Sequence, residues 1–337
     1  MRRLNWLWPL MLLCATAAAR NAEGVLDLII TPNNGIPAII APGESFEVTL
    51  TSRAELRLVG VDGEILALGP DWTALPGGMH RAVCTTPETL ATGMYSLEAV
   101  AEEGRTDTNV RAVFVTQPTQ DYSVIHLTDV HIGKANRDPT PETVFRLLIE
   151  HINGIPAAFV LITGDLTEQG HPEEFRIFLD VLDTCVLPTF VCAGNHDRRA
   201  LNYEETFGPL DYSFRYGADG YLVFDTKDFI IADPLDMQMG ELERLRRAIK
   251  PSRWSIGASH RYDPSMSMRS QLVLFVDAPL DYLLFGHWHR ENKEKRVPWG
   301  TTPVVVTPAA FEGAWRLILV AQTGIFPQSF QQISLGK

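Results

Sequence analysis

Five short stretches hold the side chains whose types and order could do chemistry. They are Asp129-Val130-His131, Gly164-Asp165, Gly194-Asn195-His196-Asp197, a single His260, and Gly286-His287-Trp288-His289. Their polar groups are carboxylates, imidazoles and one carboxamide, with no thiol. That donor set suits a pair of divalent transition metals, and paired metals are a recurrent device for cleaving phosphate esters. Each stretch alone has a plainer reading. Asp-x-His is a common loop tripeptide. Gly-Asp after a strand is an ordinary turn, because Gly adopts unusual backbone angles and Asp bonds local amides. His-Trp-His is also what two outward imidazoles around one core indole look like on a strand.

What argues against coincidence is the set of elements that would position them. Val124 to Leu127 reads as a short apolar strand ending just before Asp129. Thr140-Pro141-Glu142 opens a helix, with Thr140 as its N-cap and Pro141 in the first turn. Phe145, Leu148, Ile149 and Ile152 line one face of it, and Asn153-Gly154 closes it. Phe159 to Ile162 is the next strand, ending at Gly164-Asp165. Phe175, Phe178, Leu179 and Leu182 then recur at helical spacing. Thr189 to Cys192 leads to Gly194-Asn195, Trp254 to Ala258 to His260, and Tyr282 to Phe285 to Gly286-His287. Glu241 to Ile249 is helical, and Val304 to Thr307 and Leu317 to Ala321 add closing strands. Every polar stretch thus follows a strand's C-terminal end, the edge at which open α/β sheets bind ligands.

The chain before Asp121 has a different texture. Leu26 to Ile30, Ser45 to Leu50, Leu56 to Val61, Tyr95 to Ala99 and Val110 to Val115 are β-like runs punctuated by Gly and Pro, with no helical pattern between them. Such spacing predicts a small all-β sandwich over residues 22–117. Gln117-Pro118-Thr119-Gln120 reads as a linker, and 121–337 as the second domain. At the N-terminus, Arg2 and Arg3, the apolar run Leu4 to Leu13 and the small residues Ala15 to Ala19 read as a signal peptide over residues 1–20, so an exported (periplasmic or secreted) protein is expected. The apolar run is shorter than the about 20 residues of a spanning helix. Bulky Leu13 before Cys14 argues against a lipid anchor, and no later segment has the continuity of a membrane span. Of the remaining cysteines, Cys185 and Cys192 could pair, but buried thiols are the preferred reading.

Taken in order, the polar stretches resemble the signature of the calcineurin-like metallophosphoesterase superfamily, over about Ser123 to Val320. The resemblance implies a four-layer α/β/β/α sandwich, here preceded by an immunoglobulin- or fibronectin-like β-sandwich domain. It implies that one ion is held by Asp129, His131, Asp165 and His289, and the other by Asp165, Asn195, His260 and His287, with Asp165 bridging. A hydroxide shared by the ions would attack phosphorus. His196 would stabilise the transition state or protonate the leaving oxygen, with Asp197 orienting it. Asn195 and Arg199 are candidate substrate contacts, and Arg198 is near enough in sequence to share that role, although a solvated pair beginning a helix explains both arginines equally. Glycines 164, 194 and 286 would let the backbone turn sharply. Purple acid phosphatases carry a tyrosine three residues after the bridging aspartate. Glu168 stands there in this chain, which argues against an iron(III)–tyrosinate site. His80, His126, His151 and His171 belong to no motif and read as structural or solvated.

Four imidazoles argue against magnesium or calcium as the cofactor. Manganese, iron, zinc, cobalt and nickel all fit, with Mn, Fe or Zn favoured. The chain has 337 residues, is 45% hydrophobic and 21% charged, and carries a formal charge of -12. It lacks the basic field of a non-specific nucleic-acid binder. The expected substrate is therefore a small phosphoester. The overall pattern resembles bacterial cyclic-nucleotide phosphodiesterases, which favours a phosphodiester or nucleotide-like compound. Contact of the β-sandwich with a surface polymer is a further expectation. The rival readings are a non-catalytic cell-surface binding protein that retains the fold, and a binuclear hydrolase of non-phosphate esters.

Overall fold

The computed structural model describes residues 25–335, apart from 103, 226–234, 262–275, 292–294 and 298–299. The expected signal peptide lies outside the described residues. No described helix is long and apolar enough to cross a membrane.

The first region builds nine strands: β1 (Ile29–Thr31), β2 (Ala38–Ile40), β3 (Ser45–Leu50), β4 (Ala54–Gly60), β5 (Ile65–Leu68), β6 (Asp71–Ala74), β7 (His80–Thr85), β8 (Gly93–Ala101) and β9 (Thr106–Val115). They form two sheets, ordered β1-β3-β7-β6 and β2-β9-β8-β4-β5. In β3 and β8 alternate residues are buried, as expected where one sheet face meets a core and the other meets water. Phe46, Val48 and Leu50 from one sheet share a single apolar cluster with Leu56, Leu58, Leu97 and Val113 from the other.

The second region is mixed α/β. Its elements are β10 (Tyr122–Leu127), α1 (Pro141–Ile152), β11 (Phe159–Thr163), α2 (Pro172–Leu182), β12 (Thr189–Cys192), α3 (Asn202–Phe207), β13 (Tyr212–Tyr216), β14 (Asp219–Val223), α4 (Leu235–Ala248), β15 (Ser255–Ala258), β16 (Tyr282–Phe285), β17 (Val304–Val306), β18 (Ala314–Ala321), β19 (Gly324–Pro327) and β20 (Gln331–Gln332). One sheet runs β12-β11-β10-β18-β19, and the other β13-β14-β15-β16-β17. The β10, β11 and β12 strands are parallel, as are β14 to β17. Their residues point alternately to the two faces. Phe159 and Leu161 meet Tyr221, Ile256 and Leu284 of the facing sheet, while Val160 and Ile162 meet Phe145, Ile149 and Phe178 of α1 and α2. Leu242, Leu245 and Ile249 cover the far side of the second sheet. Helices, sheet, sheet and helix therefore follow one another.

The start of α1 is as its sequence predicts: the Thr140 side chain accepts from Thr143 N at 3.3 Å, and Pro141 is the first helical residue. Cys84, Cys185 and Cys192 are buried free thiols, so the Cys185–Cys192 pairing does not form.

The two regions are tied by polar contacts. Leu26 N donates to Glu205 O at 2.7 Å, and Val191 N to Gly35 O at 2.9 Å. Ile36 enters the cluster between the two sheets of the second region. Arg111 makes the largest tie. In the β8–β9 ladder Tyr95 faces Val113 and Leu97 faces Asn109, so Ser96 alone spans residues 110–112. Within this bulge Arg111 takes a positive φ of 54°, which re-aims its side chain out of the ladder. Its guanidinium donates to Cys185 O, to Leu187 O at 2.8 Å and to Asn34 Oδ1 at 3.2 Å. Asn34 in turn donates to Asp183 at 2.6 Å.

Candidate metal centre

The five polar stretches begin one or two residues past the ends of β10, β11, β12, β15 and β16. Both sheets of the second region therefore deliver side chains to one edge. The backbone there is unusual. Among the described residues eight non-glycine positions have positive φ, and five of them are Asp129, His131, Asp165, His287 and His289. Asp and His tolerate the left-handed region better than most residues, and strain of this kind concentrates where a side chain must be aimed.

Tight glycine approaches hold the loops together. A Cβ on Gly194 would lie 2.1 Å from Asp165 Oδ1, and one on Gly286 1.6 Å from Thr128 Oγ1. Neither has positive φ. They serve close approach rather than the sharp turn expected of them, which only Gly164 makes, with φ at 80°.

The side chains converge. Asp129, His131, Asp165 and His289 offer donor atoms within 4.8 Å of one another, and so do Asp165, His260 and His287, with Asp165 common to both groups. His260 Nε2 lies 3.1 Å from Asp165 Oδ2, and His131 Nε2 lies 3.5 Å from the same oxygen. His289 Nε2 is 3.1 Å from Asp129 Oδ1 and 3.3 Å from His131 Nε2. His260 Nε2 and His287 Nδ1 are 3.3 Å apart. Asn195 is exposed at the rim, and its chain neighbours both touch Asp165: Gly194 by close approach, and His196 by donating its N–H to Oδ1 at 2.9 Å.

Two observations test whether these residues fit cations. The buried Asp129 Oδ1 accepts no hydrogen bond, although His289 Nε2 stands 3.1 Å and His131 Nε2 3.7 Å away. A buried carboxylate oxygen without a donor is costly unless something positive meets it. The protonation pattern agrees. Burial pushes Asp129 and Asp165 up, but the neighbouring imidazoles more than reverse it, and both lie below the ordinary carboxylate range. Burial disfavours charge on His260, yet Asp165 facing it raises the imidazole to about 9. His287 falls to about 4 through burial and the charge on His260. A proton at His260 thus holds the place of a positive charge among carboxylates, and metal binding displaces such protons. The donor set fits dications.

In His260 and His131 the nitrogen facing away from the cluster is fixed by a protein oxygen. His260 Nδ1 donates to Thr163 O at 2.8 Å, and His131 Nδ1 faces Glu168 Oε2 at 2.6 Å. Holding the second nitrogen in this way sets the tautomer and leaves the first as a ligand. Glu168 does more. Its backbone oxygen meets His196 Nδ1 at 2.8 Å, and its carboxylate takes Lys134 Nζ at 3.1 Å. From sequence, Glu168 stands out only as the residue in place of a tyrosine. Its position three residues after Asp165 was the available signal.

Asp197 was expected to orient His196, and it does not. Its two oxygens accept from Gly194 N (2.8 Å), Leu166 N (3.2 Å), Thr167 N (2.9 Å) and Thr167 Oγ1 (2.7 Å). Asp197 therefore clamps the Asp165 loop to the Asn195 loop, and Glu168 O takes the orienting position. Burial and the charge of Asp165 raise Asp197 to about 6 against these bonds. Arg198 is also turned elsewhere, paired with Asp225 and lying 3.7 Å from Glu204. Arg199 is exposed in the turn before α3. Of the histidines outside the motifs, His126 is fully buried rather than solvated, between Thr163 Oγ1 at 2.8 Å and Thr307 Oγ1 at 2.7 Å.

Residues 122–291 match the model of the calcineurin-like phosphoesterase family. The chain belongs to this family. This calcineurin-like phosphoesterase is 25% identical over 193 residues to a "Probable cyclic nucleotide phosphodiesterase" of Vesicomyosocius okutanii subsp. Calyptogena okutanii, covering 52% of this chain and 82% of that one. It is 29% identical over 115 residues to a "Probable glycerophosphodiester phosphodiesterase" of Arcobacter nitrofigilis, covering 32% of this chain and 40% of that protein. A purple acid phosphatase from yellow lupin (Lupinus luteus) seeds superposes with a TM-score of 0.56 at 13% identity, covering 87% of this chain and 71% of the other. At that identity the likeness speaks for the fold alone. The family and its phosphodiesterase-named relatives support a hydrolase of phosphoric esters.

Proposed function

We propose that this calcineurin-like phosphoesterase hydrolyses small phosphodiesters or phosphomonoesters at a binuclear centre, with Asp129, His131, Asp165 and His289 holding one ion and Asp165, Asn195, His260 and His287 the other. The observation that carries this reading is the donorless, buried Asp129 Oδ1 within a cluster of imidazoles that shares Asp165 with a second cluster. The ions, once bound, would supply Lewis acidity to the phosphoryl oxygens and acidify a water. The protein's part is to position donors and handle a proton. Glu168 and Thr163 O fix the tautomers of His131 and His260. His196 is half-buried with its Nδ1 held by Glu168 O, which leaves its Nε2 free to protonate a leaving oxygen. Asp197 keeps the two loops in register. Arg199 and Asn195 are retained as substrate contacts at the rim.

The names of the relatives favour a diester, and the acidic balance of the chain disfavours a polymeric nucleic acid. We read residues 22–117 as an immunoglobulin- or fibronectin-like sandwich domain, a candidate for contact with a surface polymer, and the chain as exported through its first 20 residues. The test is a panel of phosphomonoesters, linear diesters and cyclic nucleotides on protein reconstituted with manganese, alongside a chelated sample. Hydrolysis that chelation abolishes is the expected result. Protein that binds two equivalents of metal and cleaves no member of the panel would overturn the reading.

A further inference from the structure

The two walls of the candidate centre differ in chemistry. On the His131 and His289 side, Phe311 turns its ring edge-on to both imidazoles, at 5.4 and 5.1 Å. Its face is already covered by cations, with Arg137 at 4.5 Å and Lys134 at 5.3 Å from the ring centre. The His260 and His287 side carries an exposed aromatic group. Trp288 stands there between two candidate ligands, 51% exposed. His287 and His289 both have positive φ, 69° and 54°, and Trp288 N donates to Gly286 O at 2.9 Å. This tight backbone turns the flanking imidazoles toward the cluster and leaves the indole outside. The indole meets the His287 ring at 5.4 Å and 71°, edge to face. An indole left half in water forgoes apolar burial. The other exposed aromatic side chains among the described residues, Phe326 and Phe330, lie beyond β18 toward the C-terminus.

We infer that Trp288 is a stacking shelf for a flat aromatic group of the substrate, so that the site favours phosphate esters carrying a ring, nucleotides foremost, over those of open-chain alcohols or bare sugars. The inference rests on the phosphoesterase reading and specifies its substrate class. A phosphate held at the metal cluster leaves its ester group at the rim, and on the Trp288 side that group meets the half-exposed indole one ring away from His287. On the opposite wall it meets guanidinium and ammonium groups already seated on Phe311. Base–aromatic stacking tolerates any base, because each has a π-face. The shelf therefore selects for a ring rather than for its identity.

The test is equilibrium binding of adenosine 5′-monophosphate and of ribose 5-phosphate to the metal-loaded full chain by calorimetry, with bound metal counted in each sample. In the wild type the nucleotide binds about tenfold more tightly than the sugar phosphate. Trp288→Ala and Trp288→Leu both bring the ratio close to one with metal retained, the Leu variant keeping apolar bulk without the π-face. Trp288→Phe keeps most of the preference. A wild type without preference, a Leu variant that keeps it, or a Phe variant that loses it as fully as Leu overturns the assignment. Binding needs no turnover, so a failure of hydrolysis in the substrate panel is read separately from a failure here.

Discussion

The regions before and after residue 120 bury charge for different ends. In the first, Arg111 is the buried charged side chain among the described residues, and it lies at the joint with the second region rather than in the core of its own sheets. In the second, Asp129, His131, Asp165, Asp197 and His260 are all buried, and all gather at one sheet edge. Burying a charge is unfavourable unless it is paired or hydrogen-bonded. Arg111 meets that condition fully, through two carbonyls and a carboxamide. Asp129 meets it only in part, leaving one oxygen without a donor. The contrast teaches that Arg111 is buried to join the regions, whereas Asp129 is buried with an acceptor still unmet, as the proposed metal centre requires.

Four substitutions sharpen or break that contrast. The largest effect is expected at the shared carboxylate. Asp165→Ala should lose both metal equivalents and lower phosphoesterase turnover at least about a thousandfold, while His196→Ala should lower turnover and keep its metal. Metal analysis beside rates decides this, and metal loss from the His196 variant would break the division between holding ions and moving a proton. Arg111→Met should act oppositely. It removes the donor to the Cys185 carbonyl and one of the donors to Leu187 O, which keeps Thr189 Oγ1 at 3.2 Å, costing about 2–4 kcal/mol of stability in urea titrations. The folded fraction should retain its metal. A variant as stable as the wild type would show that the joint is held by other contacts.

The smallest effect concerns His126 beneath the site. Burial, and then the charge of Arg316, lower its imidazole to about 3, against about 6.5 in the unfolded chain. Between those values the unfolded state binds the proton and the folded state does not. The contribution of His126 to stability is therefore complete above pH 6.5 and is lost as pH falls toward 3. Urea titrations of metal-free protein from pH 6.5 to 4.5 should show a slope that His126→Gln flattens by about 1–2 kcal/mol over that window. Parallel slopes in the two proteins would mean that His126 takes no part.

Much of the second region was legible because its strands are short, apolar and end at polar stretches. The strands at Phe159, Thr189, Trp254 and Tyr282 lie within a residue of their observed bounds. The β13–β14 hairpin was missed although Tyr212, Phe214 and Tyr216 alternate with polar residues just before Gly217. The expectation of strand–loop–helix texture hid a period of two. The β5, β6 and β7 strands were missed for a different reason. The first two are edge strands whose residues are exposed or half-buried, so their sequence carries little hydrophobic pattern.

The sequence by itself determined the donor types, their order along the chain and their place after strand ends, since these are local properties of residue identity and hydrophobic period. Only the tertiary structure decided which oxygen fixes which imidazole. Glu168 O, not Asp197, holds His196, and Asp197 instead clamps two loops that lie 30 residues apart in sequence. Such pairings depend on how loops from separate strands cross at a sheet edge, where a distance of a few ångströms decides between a backbone carbonyl and a nearby carboxylate. Nothing in the spacing of residues along one chain encodes that distance.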